Sequence, residues 1–131
     1  LADISSAMGL DINVFSYDIK PPNVTHPKVD FIGIDLEKDF VMKGWNRDGK
    51  QGGDKKLVIE DAHVNIKEVL LKTDLLLRKG DYLIIEDSQK KESEIFDFLS
   101  NAKNKYKVDN FYVDFFGRNT TCCVDSIFKV F

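Results

Sequence analysis

Gly80-Asp81-Tyr82-Leu83-Ile84-Ile85-Glu86-Asp87 reads as a buried strand, entered through a glycine and left on a pair of acids. Upstream, Leu57-Val58-Ile59 repeats the pattern: a short apolar strand that ends on Glu60-Asp61. Between the two, Ile66, Val69, Leu70, Thr73, Leu76 and Leu77 recur at the i, i+3, i+4, i+7 spacing of a helix, and Gly80 is expected to close it. Strand, helix and strand in that order predict parallel pairing with a helical crossover.

The flanks extend the same pattern. Residues 1–8 read as the last turns of a helix stopped by Gly9. Asp11 to Asp18 alternates and is rich in β-formers before it meets Lys20-Pro21-Pro22, so it reads as a strand halted by prolines. Val29 to Asp35 is a further strand that ends in an acid, and residues 42–56 form a glycine- and charge-rich loop. A second helix carries Ile95, Phe98, Leu99 and Ala102 on one stripe. The tail, Phe111 to Phe116 and Ser126 to Phe131, suggests an antiparallel strand pair around Gly117-Arg118-Asn119-Thr120. The expected architecture is α/β: a mostly parallel sheet with helices on both faces and a C-terminal antiparallel pair, in one domain over residues 1–131.

Composition narrows the partners. The 131 residues are 43% apolar, 31% charged and 11% aromatic, a globular profile. A net charge of −3 disfavours nucleic acid and anionic membranes, both of which select basic surfaces. No apolar run approaches the about 18 residues of a membrane span. The two cysteines, Cys122 and Cys123, are adjacent and poorly placed for an ordinary disulfide, so a reducing, cytoplasmic compartment is expected. The sequons Asn23-Val24-Thr25 and Asn119-Thr120-Thr121 leave secretion open.

The chemistry sits at the strand ends. Ligands of an open parallel sheet bind beyond its carboxyl ends. Here those ends carry Asp18, Asp35, Glu60-Asp61 and Glu86-Asp87. Acids at strand ends are often no more than solvated, but four such ends on one rim repel one another unless a cation or a hydroxyl-rich ligand compensates. An acid at the end of the first strand suits the two hydroxyls of a ribose, which points to Asp18. Asp61, Glu86 and Asp87 supply the hard oxygens that suit Mg²⁺. His63, just beyond Asp61, suits a metal ligand, a partner of one, a general base or a histidine bonded locally at a helix start. Trp45 in the glycine-rich loop fits a substrate lid or a simple anchor, and His26 beside Pro27 reads as a loop residue.

Four stretches together carry a resemblance: Gly9-Leu10-Asp11, Val14-Phe15-Ser16-Tyr17-Asp18-Ile19, Leu57-Val58-Ile59-Glu60-Asp61-Ala62-His63, and Gly80 to Asp87. The chain resembles, over essentially its whole length, the cephalosporin hydroxylase family of class I S-adenosylmethionine-dependent methyltransferases, relatives of rhamnosyl and macrolide-sugar O-methyltransferases. The resemblance implies a Rossmann-like methyltransferase fold, with S-adenosylmethionine and Mg²⁺ as cofactors and methyl transfer to a hydroxyl of a small molecule or sugar. By position it implies that Asp18 binds the cofactor ribose and that Ile34, Asp35 and Leu36 line the adenine pocket. Asp61, Glu86 and Asp87 match the acids that hold Mg²⁺, and His63 the base that assists deprotonation. Methyl transfer is an in-line displacement, so such an enzyme mainly positions the acceptor oxygen and lowers its pKa.

Two departures follow. Many relatives carry a histidine where this chain has Val64. The family's glycine-rich cofactor loop and the strand before it lie upstream of the helix that ends here at residue 8, so the chain reads as N-terminally truncated. Weak cofactor binding by the chain alone and open sheet edges that invite a homo-oligomer are therefore expected. The alternative is a non-catalytic methyltransferase-fold domain used for protein contacts or assembly. A non-haem iron hydroxylase ranks last, because the two histidines, His26 and His63, are far apart in sequence and offer no facial triad.

Overall fold

The computed structural model describes residues 1–20, 22–35, 55–61, 63–109, 111 and 127–131. Leu36, Trp45, Cys122, Cys123 and the second sequon lie outside the described residues. The chain divides into two compact units, Leu1–Asn46 and Arg47–Phe131.

In the first unit, α1 (Ala2–Ala7) ends as its glycine dictates. Gly9 takes φ +70, where a side chain is strained, and its amide bonds the Ser6 carbonyl at 3.0 Å while Leu10 bonds that of Ser5 at 2.8 Å. Those two bonds satisfy carbonyls the helix leaves open, the paired closure typical of a glycine stop. β1 (Val14–Asp18) and β2 (Val29–Gly33) then pair in parallel, Val14 opposite Val29 and Asp18 opposite Gly33. His26 is a local fastener between α1 and the approach to β2: its Nδ1 accepts from the Lys28 amide at 3.1 Å, and its Nε2 contacts Asp3 Oδ1 at 3.0 Å.

The second unit is a four-stranded sheet in the order β3-β4-β6-β5, from β3 (Leu57–Glu60), β4 (Tyr82–Ile85), β5 (Tyr106–Val108) and β6 (Ile127–Val130). β3 and β4 are parallel, as the strand–helix–strand pattern predicts, and β6 is antiparallel to both of its neighbours. The expected C-terminal antiparallel pair is present, but its first strand is Tyr106–Val108 rather than 111–116. Phe111 is helical, and 112–116 lie outside the described residues.

Period-2 alternation sorts the side chains. Leu83 and Ile85 have no exposed surface, Phe128 and Val130 are buried, and Ile84 is only half-buried. The register sets Leu83 opposite Phe128 and Val58, so these share a face. α2 (Ile66–Asp74) and α3 (Glu92–Asn101) pack on each other and bury Val69, Leu70, Ile95 and Phe98. The Phe98 and Tyr106 rings meet at 5.1 Å between centroids. On β3, Leu57 and Ile59 alternate outward, 50% and 44% exposed, so this strand is not buried on both faces.

α2 stops at Asp74, short of the expected stop at Gly80. The cause is Asp74 itself, which is 2% exposed. Its carboxylate accepts from the Lys103 amide (2.7 Å), the Asn104 amide (3.3 Å), Asn104 Nδ2 (2.9 Å) and the Tyr106 hydroxyl (2.7 Å). This junction fastens the end of α2 to the α3–β5 connection. Gly80 instead turns the chain into β4 at φ +91, with its amide on the Val130 carbonyl at 2.8 Å. Asp81, also buried, accepts from the Lys56 and Arg78 amides at 3.1 and 2.8 Å and fixes the start of both parallel strands.

Tyr106 responds to this junction. Burial, then its bond to the Asp74 carboxylate, raises the phenol far above its ordinary value of 10.0. A raised folded-state value favours the neutral phenol. The contribution is therefore complete below the unfolded value near 10 and is lost as pH climbs past it. In an alkaline absorbance titration, Tyr106 is expected to ionise only as the protein unfolds, and Tyr106→Phe should delete that late component. Ionisation of Tyr106 near its ordinary value in the folded protein would contradict the assignment.

Candidate functional site

The site residues fall at the carboxyl ends of two parallel strand pairs, one in each unit. In the first unit β1 ends on Asp18, which is exposed. Its Oδ1 accepts from the Lys20 amide at 2.9 Å, a tight turn that orients the carboxylate, and its carbonyl accepts from the Ile34 amide at 2.9 Å. Asp18 and Ile34-Asp35 are therefore neighbours at one strand rim, with Ile34 and Asp35 half-buried. A carboxylate offers about four acceptor sites, so the turn leaves Asp18 capacity for hydroxyl donors. Beside it, burial and the charge of Asp30 push the Tyr17 phenol up.

In the second unit the parallel register sets Glu60 against Ile85, and the Glu86 amide donates to the Glu60 carbonyl at 2.9 Å. Asp61 and Glu86-Asp87 thus leave adjacent strands side by side. Asp61 is exposed, and Glu86 and Asp87 are half-buried. Asp87 sits in the left-handed region at φ 52, uncommon for a residue with a side chain, and immediately precedes the 3₁₀ turn Ser88–Lys91. Lys90 Nζ lies 3.9 Å from its Oδ2.

Glu60 does not belong to the rim. It is 5% exposed and turned inward with Val58, where Lys91 Nζ meets its Oε2 at 3.0 Å. Both side chains of this pair are 3% exposed. Strand alternation already placed Glu60 on the Val58 face. Lys91 stands at i−4 and i−7 from Ile95 and Phe98, on the apolar stripe of α3, and that was the signal for it. Asp74 likewise follows Ile66 and Leu70 at steps of four.

His63 is exposed ahead of α2 and lines an open depression of about 290 Å³ with Asn65, Ile66, Lys67, Glu68 and Glu94. Among the described residues, no three or more His, Cys, Asp or Glu side chains are grouped so as to hold a metal ion. The donor chemistry of Asp61, Glu86 and Asp87 suits Mg²⁺, and their backbones share one rim, but the carboxylates are not gathered into a ligand set. Among the described residues, no helix is long and apolar enough to cross a membrane.

No protein-family model matches the sequence, and no curated protein matches it. A solved structure described as "cmcI-D160 Mg-SAM" is similar over 99% of this chain and 57% of its own, with a TM-score of 0.64 and 20% identity. The chain thus spans little more than half the length of that neighbour. The sheet order, the parallel pairs, the antiparallel C-terminal strands and this likeness together give the chain an α/β, Rossmann-like fold shared with that structure.

Proposed function

We propose that the protein takes part in S-adenosylmethionine-dependent, Mg²⁺-assisted methyl transfer to a hydroxyl of a small molecule or sugar. The observation that carries this reading is the placement of acids at the carboxyl ends of parallel strands, in a fold shared along 99% of the chain with a structure whose description includes Mg and SAM. In that position acids meet ligands rather than core.

Each residue has a role in the proposal. Asp18 accepts the ribose hydroxyls of the cofactor, held in place by its turn with Lys20. Ile34 and Asp35, with Leu36, line the adenine side. His63, exposed ahead of α2, takes the proton of the acceptor hydroxyl. Asp61, Glu86 and Asp87 are the residues assigned to Mg²⁺, which when bound lowers the pKa of a coordinated hydroxyl. The remaining work is orientation: the acceptor oxygen must lie in line with the departing sulfur.

Calorimetric titration of the intact protein with S-adenosylmethionine tests the reading. Heat of binding is expected, together with a clear weakening in Asp18→Ala. Asp87→Asn should weaken Mg²⁺ binding and leave the far-ultraviolet spectrum unchanged. An intact, folded protein that gives no heat with the cofactor would leave only the non-catalytic scaffold.

A further inference from the structure

A buried ion pair is a poor means of stabilising a fold. Taking both charges out of water costs what their attraction returns, and apolar replacements of similar volume are often neutral or better. Glu60 and Lys91 nevertheless face each other at 3.0 Å with almost no exposure. A second unfavourable feature lies in the same segment: Asp87, four residues before Lys91, holds φ 52 although it carries a side chain. Such strain persists where the surroundings over-determine the backbone.

The connections close a ring. Lys91 grips the Glu60 carboxylate, the Glu60 carbonyl accepts from the Glu86 amide, and the Lys90 amide returns to the Asp87 carbonyl at 2.9 Å. One residue, Glu60, thereby joins the end of β3, the end of β4 and the start of α3. Every chain segment that carries Asp61, Glu86 or Asp87 passes through this ring.

We propose that Glu60 and Lys91 are positioning residues: their buried pair holds the Asp87 turn left-handed and so fixes the rim carboxylates for the ligand. The ligand part of this statement rests on the methyl-transfer reading; the geometric part does not. Neither residue touches the ligand.

The double variant Glu60→Met/Lys91→Met separates this role from plain stability. It is expected to unfold at the same denaturant concentration as the unaltered protein, or higher. Its Asp87 amide should nevertheless lose the left-handed signature in backbone chemical shifts and the HN–Hα coupling. Affinity for Mg²⁺ should fall on the order of tenfold to a hundredfold, as when a contact supporting a metal ligand is removed. A folded double variant that keeps both the Asp87 signature and the affinity overturns the proposal. If the unaltered protein does not bind Mg²⁺ while the double variant loses the signature, the Mg²⁺-assisted reading fails and the positioning role stands. Should the double variant not fold, hydrogen exchange on the unaltered protein decides. The Glu86 and Lys90 amides are expected to exchange as slowly as those of β4, and exchange by local opening of the turn overturns the proposal.

Discussion

Leu83→Asp is expected to leave the second unit unfolded. Leu83 has no exposed surface and stands between Val58 and Phe128 in the register of three strands. Emptying the site costs about 2–5 kcal/mol, the range for leucine to alanine in a core. An unpaired carboxylate there adds several more. The sum approaches the roughly 5–15 kcal/mol that holds a domain folded. Circular dichroism should show loss of the folded signal without denaturant, whereas Leu83→Ala should still unfold cooperatively at a lower urea midpoint. Ile84→Asp, one residue on, should be milder because Ile84 is half-buried and faces the open side. A cooperative transition near the unaltered midpoint in Leu83→Asp would refute the assigned core face.

Asp74→Ala is expected to lose at least about 1.5–3 kcal/mol, the contribution of one hydrogen bond to a charged group. Its carboxylate receives four donors, from Lys103, Asn104 twice and Tyr106, and alanine leaves all four without it. Each buried donor so abandoned costs roughly 1–3 kcal/mol before relaxation. Asp74→Asn should lose less, since it keeps one acceptor oxygen while its NH₂ faces donors. Urea unfolding followed by fluorescence measures both. Equal stability of Asp74→Ala and the unaltered protein would show that the junction carries no weight.

Much of the fold was legible because its signals are local. The glycine at 9, the apolar runs at 57–59 and 82–85, and the period of α2 each name an element with no need of its neighbours. What misled was long-range. The apolar pattern of α2 continues to Leu77, but Asp74 answers to groups about thirty residues away, and no local rule shows that. The aromatic run 111–116 suggests the partner of the tail strand, whereas β6 pairs with Tyr106–Val108. At the rim, neighbouring acids looked equivalent in sequence. Alternation turns Glu60 inward and leaves Asp61 outside, so the apparent pair divides between core and rim.

The sheet order has a consequence for how this unit comes into being. β6 follows β5 in sequence yet lies between β4 and β5, and among the described residues no direct pairing joins those two. As synthesis proceeds, β3, α2, β4, α3 and β5 all emerge before the piece that unites them. Until residue 130 clears the ribosome, β4 and β5 each present a bare hydrogen-bonding margin to the cell. Assembly of the sheet thus waits for β6, and a nascent chain stalled short of it is a target for chaperones.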